Sequence, residues 1–248
     1  MNSLKNKVAV VTGSARGLGK AIAERFAALG ADIVINYSKD ATSADEVVST
    51  IKAMGVKVIA VRADISKPAE IAHLFAAAKQ QFGKIDIVVA NAGVELVDVP
   101  VTAFTEEQYD RLFGINTKGA FFTLQEAAKH VADGGRIINI ASSTTLFPLE
   151  GMGLYGGSKT APKYLVEVLA KEIGGRGVTV NSIIPYAVDN AGIFTDPHEP
   201  SIEWLIAANP MKRLAKVEDV ANVAEFFASD LASFVNGQHL LVNGGASH

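Results

Sequence analysis

The chain alternates short apolar runs with helical patterns along its whole length, and this alternation strongly restricts the folds open to it. Short β-branched runs predict buried strands at 7–12, 32–36, 56–61, 85–90, 136–141, 178–184 and 238–242. Apolar residues at helical spacing predict helices at 20–30, 42–54, 68–82, 105–132, 153–174 and 217–229. Repeated strand–helix units form a parallel sheet with helices on both faces. We therefore expect a doubly wound, seven-stranded α/β sheet in a single domain, residues 1–248.

A glycine-rich turn joins the first predicted strand to the first predicted helix. Its sequence is TGSARGLG, with glycine at 13, 17 and 19. Glycine lets the backbone approach a pyrophosphate, and the helix N-terminus offers N–H groups and the positive end of a dipole. The spacing differs from the more common G-x-G-x-x-G. Tight strand–helix packing would also favour glycine, but the strand–turn–helix context favours a nucleotide site.

Three polar residues in the second half of the chain form the most informative chemical pattern. Tyr155 and Lys159 are about one helical turn apart, and Ser142 precedes the tyrosine. A phenol titrates near pH ~10, and a neighbouring cation lowers that pKa. With a serine hydroxyl at the same point, the group can move a proton on or off a carbonyl or alcohol oxygen. A lone Tyr-x-x-x-Lys pair can also arise by chance, as a buried tyrosine beside a solvated lysine.

Several of these features directly follow predicted strands. The glycine turn, Asn91, Ser142 and Pro185 each come after a different strand. Ligands of open parallel sheets bind beyond the carboxyl ends of the strands, at the topological switch point. We therefore expect these four features to lie together at one edge of the sheet.

The joint pattern resembles the short-chain dehydrogenase/reductases of about this length. The resemblance runs from Lys7 to about Gly245, and it is carried by TGSARGLG, Asp64, ANAG at 90–93, Asn116, Ser142, Tyr155, Lys159 and NSIIP at 181–185. It implies a Rossmann-like fold and a ketoreductase similar to the 3-oxoacyl-acyl carrier protein reductases. It also implies a catalytic tetrad of Asn116, Ser142, Tyr155 and Lys159, an adenine contact at Asp64, and cofactor-wall residues at Asn91 and Gly93.

The end of the second predicted strand indicates which nicotinamide cofactor binds. An acid there would bond a ribose 2′-hydroxyl and repel a 2′-phosphate, but residues 35–39 at the strand end are INYSK, with no acid until Asp40. Asn36, Ser38, Lys39 and Arg16 instead offer donors to a phosphate, although the two cations can also be ordinary solvated side chains. The sequence thus predicts NADP(H). The predicted cofactor-binding residues are Gly13, Ser14, Arg16, Gly17, Leu18, Gly19, Asn36, Tyr37, Ser38, Ala63, Asp64, Ile65, Asn91, Ala92, Gly93, Tyr155, Lys159, Pro185 and Val188.

The predicted reaction is hydride transfer between the nicotinamide and a ketone or secondary alcohol. Tyr155 donates the proton, Ser142 bonds the oxygen, and the resemblance implies that Asn116 positions a water that relays protons to Lys159. One alternative is a non-catalytic NADP(H)-sensing regulator, which the intact tetrad disfavours. Another is an epimerase or dehydratase of related fold, which usually has different glycine spacing and a larger C-terminal region.

The substrate side is less well defined by the sequence. Residues 187–209 predict a lid, or alternatively a packed surface helix. Tyr186, where the family usually has glycine, either walls the substrate pocket or packs as core under that segment. Pro162 falls inside a predicted helix and should bend it. The predicted pocket residues are Val94, Glu95, Thr144, Met152, Tyr186 and Trp204.

Composition argues against several other classes of protein. The net charge of −3 disfavours nucleic-acid or anionic-membrane binding. The chain has no cysteine, and its histidines lack metal-ligand spacing, which fits the cytoplasm and a site without metal. No apolar run approaches the ~18 residues that span a bilayer, and we expect no signal peptide before the first strand. The long, apolar helices 105–132 and 153–174, together with the resemblance, predict a homotetramer.

Overall fold

The strands of the computed structural model, which describes residues 3–192 and 200–246, form one parallel sheet. They are β1 Val8–Val11, β2 Asp32–Tyr37, β3 Val58–Arg62, β4 Ile87–Ala90, β5 Arg136–Ile140, β6 Thr179–Pro185 and β7 His239–Val242. Their order is β3-β2-β1-β4-β5-β6-β7, and each neighbouring pair is parallel. The winding reverses between β1 and β4, which creates the switch point where ligands bind. The predicted doubly wound, seven-stranded sheet is confirmed.

Helices cover both faces of this sheet. They are α1 Gly17–Ala28, α2 Ala41–Ala53, α3 Pro68–Phe82, α4 Glu106–Phe113, α5 Ala120–His130, α6 Gly153–Ile173, α7 Pro200–Ala208 and α8 Val217–Ala228. On one face Phe26 of α1 and Phe227 of α8 are fully buried against the sheet. On the other, Phe75 of α3, Leu124 of α5 and Val166 of α6 form a second core. The two apolar layers hold the strand ends, and therefore the site, in fixed positions.

The long helical stretch predicted over 105–132 is present, but it is not α-helical throughout. A π-helical segment, Gly114–Gly119, separates α4 from α5. At its end Gly119 packs tightly: a β-carbon there would lie 2.6 Å from the carbonyl oxygen of Ile65. Apolar periodicity continues across this segment, so the sequence pattern does not reveal the change from α-helical to π-helical hydrogen bonding. Such π segments are frequent at functional sites, and this one carries Asn116.

The segment after β6 is described in part. Residues 193–199, which belong to the predicted lid at 187–209, lie outside the described residues. The later part forms α7, and Ile202 of this helix packs against Ala187 and Leu214. None of the described helices is both long enough and apolar enough to cross a membrane.

Candidate active site

The four predicted tetrad residues come from three different parts of the fold. Ser142 follows β5, Asn116 lies in the π segment, and Tyr155 and Lys159 lie on the first two turns of α6. All four are at most 8% exposed. The Lys159 Nζ donates to the carbonyl of Ile140, at the end of β5, over 3.2 Å. The sheet therefore brings these side chains together at its carboxyl edge, as expected.

Thr144 orients the hydroxyl of Ser142. The Ser142 Oγ accepts hydrogen bonds from the Thr144 backbone N at 3.3 Å and from its Oγ1 at 3.0 Å. A hydroxyl oxygen has two lone pairs, so both are occupied and the Ser142 proton is directed elsewhere. Thr144, which the sequence places in the substrate pocket, therefore also positions Ser142.

Tyr155 is held in its protonated form. Burial raises the pKa of its phenol, the charge of Glu95 raises it further, and the hydrogen bond with Ser142 lowers it. The Tyr155 hydroxyl donates to Glu95 Oε1 over 3.4 Å. The expectation that Lys159 lowers this pKa is not met, because the loss of solvation outweighs the opposing contacts. The phenol therefore keeps its proton at neutral pH, and this proton is available to a bound substrate.

Lys159 is a buried cation close to the loop after β4. Burial lowers the pKa of its ammonium group to about 8, and the charge of Glu95 opposes that shift. Gly93 lies directly against it: a β-carbon there would be 3.0 Å from Lys159 Nζ and 3.3 Å from Asn116 Oδ1. Only a residue without a side chain leaves the ammonium group open from this direction.

Asn116 holds the loop that follows β4. Its Oδ1 accepts from the Val94 backbone N, and its Nδ2 donates to the Val94 carbonyl, both at 2.8 Å. The same Nδ2 donates to Ser158 Oγ at 3.0 Å. Both amide hydrogens are thus used within the protein, so Asn116 fixes the loop to α6. Its predicted role in positioning a relay water stays a prediction.

The side chains of Thr12 and Asn91 fasten the glycine turn to the loop that follows β4. Thr12 Oγ1 accepts from the backbone N of Asn91 at 2.9 Å and of Ala92 at 3.0 Å. Asn91 Nδ2 donates to the carbonyls of Thr12 and Gly13. The sequence analysis missed Thr12, and the available signal was a hydroxyl residue directly before a glycine turn. The turns after β1 and β4 therefore form one rigid unit.

The glycine turn itself depends on the missing side chains. Gly13 has a φ of +62°, which favours glycine. A β-carbon at Gly19 would overlap the carbonyl oxygen of Gly13 and lie 2.5 Å from Asn91 Nδ2. Helix α1 starts in this turn, has no acid in its first turn, and receives no side-chain cap from Arg16. Its N-terminal N–H groups can therefore bind an anion.

Comparison with known proteins assigns the chain to a family. The family model described as enoyl-(acyl carrier protein) reductase matches residues 13–247. A short-chain type dehydrogenase/reductase from Picea abies is 42% identical, with 98% of this chain and 93% of that protein covered. The chain belongs to the short-chain dehydrogenase/reductases. A hydroxynaphthalene reductase-like protein of Metarhizium brunneum is 38% identical, with 98% and 96% covered.

A solved structure of the same family has nearly the same fold. It is a short-chain dehydrogenase from Burkholderia cenocepacia in complex with NADP, 34% identical, with a TM-score of 0.93. The match covers 98% of this chain and 99% of that one. The seven-stranded sheet found here is therefore that of a short-chain dehydrogenase/reductase.

Ser14 and Asn36, which the sequence predicts to bind the cofactor, hold the glycine turn through their side chains instead. Ser14 is fully buried, and its Oγ donates to the Val11 carbonyl and accepts from the Asn36 backbone N. Asn36 is 1% exposed; its Oδ1 accepts from the Gly13 N, and its Nδ2 donates to the Ala63 carbonyl at 3.0 Å. The structure therefore gives both side chains a positioning role rather than a phosphate contact.

The end of β2 carries exposed cations and one acid that faces α2. Asp40 caps that helix by accepting from the Ser43 N and Oγ, and these bonds, with a smaller effect of Arg16, lower the pKa of its carboxyl. Arg16 and Lys39 are exposed nearby, and Arg62 Nε donates to the Ser38 carbonyl at 3.1 Å. Arg62, which the sequence analysis missed, adds a third cation where β3 ends.

The remaining predicted cofactor residues lie around the same edge. The Asp64 carboxylate accepts from Ser66 N and Oγ at 3.0 and 2.8 Å. Burial raises the pKa of Asp64, but the bonds from Ser66 and the charge of Lys67 lower it below its usual value. The backbone oxygen of Asn190 lies 3.9 Å from a β-carbon built on Gly17. The others lie in the first turn of α1, at the last residue of a strand or just after a strand: Leu18, Tyr37, Ala63, Ile65, Pro185 and Val188.

The predicted substrate pocket is only partly assembled in the described residues. Val94 and Glu95 lie beside the tetrad, and Met152 is the N-cap of α6. Trp204 is 66% exposed on α7. Tyr186 packs with Ile202 and Leu205 under α7, which is the packing alternative left open by the sequence. It also lines a cavity of about 190 Å³ that includes none of the tetrad.

Within the described ranges, no group of three His, Asp or Glu side chains could hold a metal ion.

Pro162 gives α6 a spare acceptor at the site. The helix continues through this proline, which has no N–H to donate to the carbonyl four residues earlier, that of Ser158. Thr117 Oγ1 in the π segment donates to that carbonyl at 2.9 Å. Ser158 thus bonds two successive residues of the π segment, Thr117 through its carbonyl and Asn116 through its hydroxyl.

We expect Thr117 and Pro162 to be energetically coupled. Thr117→Val removes the donor and should lower kcat about 5-fold, since a hydrogen bond of this kind contributes ~1 kcal/mol. In Pro162→Ala the new N–H reaches the Ser158 carbonyl, so the same threonine change should cost less. A double-mutant cycle measures this coupling: kcat and the free energy of unfolding are determined for the wild type, for each single variant and for the double variant. Thr160→Val is the control, because it removes a hydrogen bond from Thr160 Oγ1 to the Gly156 carbonyl on the same helix. Additive effects of the Thr117 and Pro162 substitutions would contradict the proposed coupling.

Proposed function

We propose that the protein is an NADP(H)-dependent carbonyl reductase that converts ketones to secondary alcohols. The observation that carries this proposal is a buried Tyr155 whose raised pKa keeps its proton at neutral pH, beside an oriented Ser142 hydroxyl. Such a phenol can give its proton to an oxygen that becomes negatively charged. A protonated phenol and an oriented serine hydroxyl are the two hydrogen-bond donors that the reduction of a carbonyl group needs.

The residues around the glycine turn fit a nicotinamide dinucleotide. The N-terminus of α1 offers its N–H groups to a pyrophosphate, and the cradle formed by Gly13, Gly19 and Gly93 has no room for β-carbons. Arg16, Lys39 and Arg62 would hold a 2′-phosphate. Lys159 would hold the ribose hydroxyls. When bound, the cofactor supplies the hydride.

The protein's own part in the reaction is to hold an oxygen and to deliver a proton. Ser142 and Tyr155 bind the carbonyl oxygen, and both donate to it as negative charge develops there. Because the Ser142 Oγ accepts both hydrogen bonds from Thr144, the hydroxyl proton of Ser142 stays available for the carbonyl oxygen. The hydrogen bonds of Asn116 hold the loop after β4 against Ser158 of α6, so the hydroxyl donors of Ser142 and Tyr155 stay aligned. Burial of the tetrad keeps bulk water from competing for these bonds.

The names of related proteins support this proposal. The Picea abies relative is called a dehydrogenase/reductase, the Metarhizium brunneum relative a hydroxynaphthalene reductase-like protein, and the Burkholderia cenocepacia structure contains NADP. The alternatives of a non-catalytic regulator and of an epimerase or dehydratase are not favoured.

The choice of cofactor tests the proposal. With an activated ketone, we expect kcat/KM for NADPH to exceed that for NADH by at least ~10-fold, because charged hydrogen bonds contribute about 1.5–3 kcal/mol. The double variant Arg16→Ala, Lys39→Ala should lower the ratio of kcat/KM for NADPH to kcat/KM for NADH. Lys20→Ala, the loss of a cation paired with Glu24 on α1, should leave it unchanged. An NADH value equal to or above the NADPH value contradicts the cofactor assignment.

Lys159 should make NADPH binding depend on pH. Its ammonium group is charged below its pKa of about 8 and neutral above it, so the attraction for the cofactor is present at low pH and lost as the pH rises through 8. We expect the Kd for NADPH to rise by about 10-fold between pH 7 and 9.5, as a charged hydrogen bond is lost. Fluorescence titration at constant ionic strength measures this. The same rise in Lys159→Gln would exclude Lys159 as its source.

The assembly and the location of the protein are further parts of the proposal. Tyr109 on α4, Phe121 on α5 and Tyr164 on α6 are 47%, 43% and 66% exposed, and large apolar surfaces often mark contacts between subunits. These side chains support a homotetramer built by helix pairing. The absence of cysteine from the sequence fits the reducing cytoplasm.

A further inference from the structure

Glu95 lies against the reacting hydroxyl without a role in the reaction proposed above. Its Oε1 is 3.4 Å from the Tyr155 hydroxyl. Its backbone is well fixed, because both polar backbone atoms of the preceding Val94 bond to Asn116. The residue is nevertheless exposed, so a molecule that enters the site from solvent meets this carboxylate.

The segment after β6 is fitted to this carboxylate. Gly192 has a φ of +62°, and a β-carbon there would lie 2.5 Å from both oxygens of Glu95. Any other residue would push the carboxylate from its place. Glu95 is therefore positioned between the Tyr155 hydroxyl on one side and the Gly192 backbone on the other.

A carboxylate in this place is unfavourable for a simple ketone. An ionised carboxylate and a carbonyl oxygen are both acceptors only, and they would compete for one phenol proton. The oxygen of the ketone also becomes negative during reduction, and a nearby negative charge opposes that change. Both difficulties are relieved if the substrate itself supplies a hydrogen to Glu95.

We propose that Glu95 is a specificity-determining residue that accepts a hydrogen bond from a hydroxyl group of the substrate near its reacting carbonyl. The favoured substrates are then ketones that carry a hydroxyl group close to the carbonyl. The inference rests on the proposed carbonyl reduction and names the substrate class for it. A neutral hydroxyl fits better than an ammonium group, because Lys159 already balances the charge of Glu95 and would repel a second cation.

Three matched ketones test this inference with NADPH. They are 3-hydroxy-1-phenylbutan-1-one, its methyl ether, and 1-phenylbutan-1-one, which offer a donor, an acceptor only, and neither. We expect kcat/KM for the hydroxyketone to exceed the other two by at least ~10-fold, as for a hydrogen bond to a charged group. Glu95→Ala should abolish this preference and raise kcat/KM for 1-phenylbutan-1-one. Glu95→Gln keeps an acceptor without the charge and should retain part of the preference.

The control and the opposing outcomes are equally specific. Glu172→Ala removes an exposed acid from the far end of α6 and should leave the three ratios unchanged. Equal rates on the three ketones, a preference that survives in Glu95→Ala, or a uniform loss on all three in that variant would overturn the inference. Faster reduction of 3-amino-1-phenylbutan-1-one than of the hydroxyketone would overturn the choice of a hydroxyl. Failure to reduce any ketone would instead refute the carbonyl reductase proposal.

Discussion

Tyr155→Phe should lower kcat for ketone reduction by at least ~10²-fold, because general acid catalysis typically contributes 10² to 10⁴. The variant keeps the ring, which is buried, and removes only the hydroxyl that bonds Ser142 and Glu95. NADPH affinity should change by less than about 2-fold, since the phenol is not the main anchor of the cofactor. Single-turnover kinetics and a fluorescence titration measure the two effects separately.

Tyr164→Phe is the matched control for this experiment. Tyr164 lies on the same helix, is 66% exposed, and is remote from the tetrad, so its hydroxyl should be dispensable. A Tyr155→Phe enzyme that turns over at a near-normal rate would show that another group delivers the proton. Such a result would leave the fold and the cofactor site untouched, because neither depends on the phenol.

Gly19→Ala should weaken NADPH binding by at least ~10-fold. The new β-carbon would overlap the Gly13 carbonyl oxygen and press on Asn91 Nδ2. Overpacking of this kind costs about 1–3 kcal/mol, and ~1.4 kcal/mol is tenfold in affinity. The turn after β1 must open to admit the methyl group, and this movement displaces the N–H groups of α1 from the pyrophosphate. The Kd for NADPH and the melting temperature should both be measured.

Gly175→Ala controls for the loss of a glycine as such. A β-carbon at Gly175 meets nothing within 4 Å, so this variant should bind NADPH as the wild type does. If Gly19→Ala also kept wild-type affinity, the close approach in the glycine turn would not be needed for binding, and the cofactor would have to bind elsewhere.

The layout of the fold could be predicted from the sequence because its signals are local and repeated. Buried parallel strands give continuous apolar runs, and the intervening helices give a regular apolar spacing. The π segment at Gly114–Gly119 could not be predicted in this way, because it changes the hydrogen bonding of the backbone without interrupting the apolar pattern. The continuation of α6 through Pro162 depends on a partner distant in sequence, Thr117.

The site could be predicted as a set of residue types, but their roles depend on long-range contacts. Asn36 has the polarity expected of a phosphate ligand, yet its side chain bonds Gly13 and Ala63, which only the packed sheet brings near. Tyr186 follows β6 as the active-site residues follow their strands, but its ring packs under α7. The lowered pKa expected for Tyr155 failed because the cost of burial is not visible in a motif.

The π segment also limits how this part of the chain can change in evolution. Loops usually tolerate insertions and deletions, but a π turn holds one residue more than an α turn. Removing that residue would rotate the whole of α5 by about 100° around its axis. Leu124 and Ala127, which are fully buried, would then point away from the core. The spacing between Asn116 and α5 is therefore expected to be kept in descendants of this chain even where the neighbouring side chains vary.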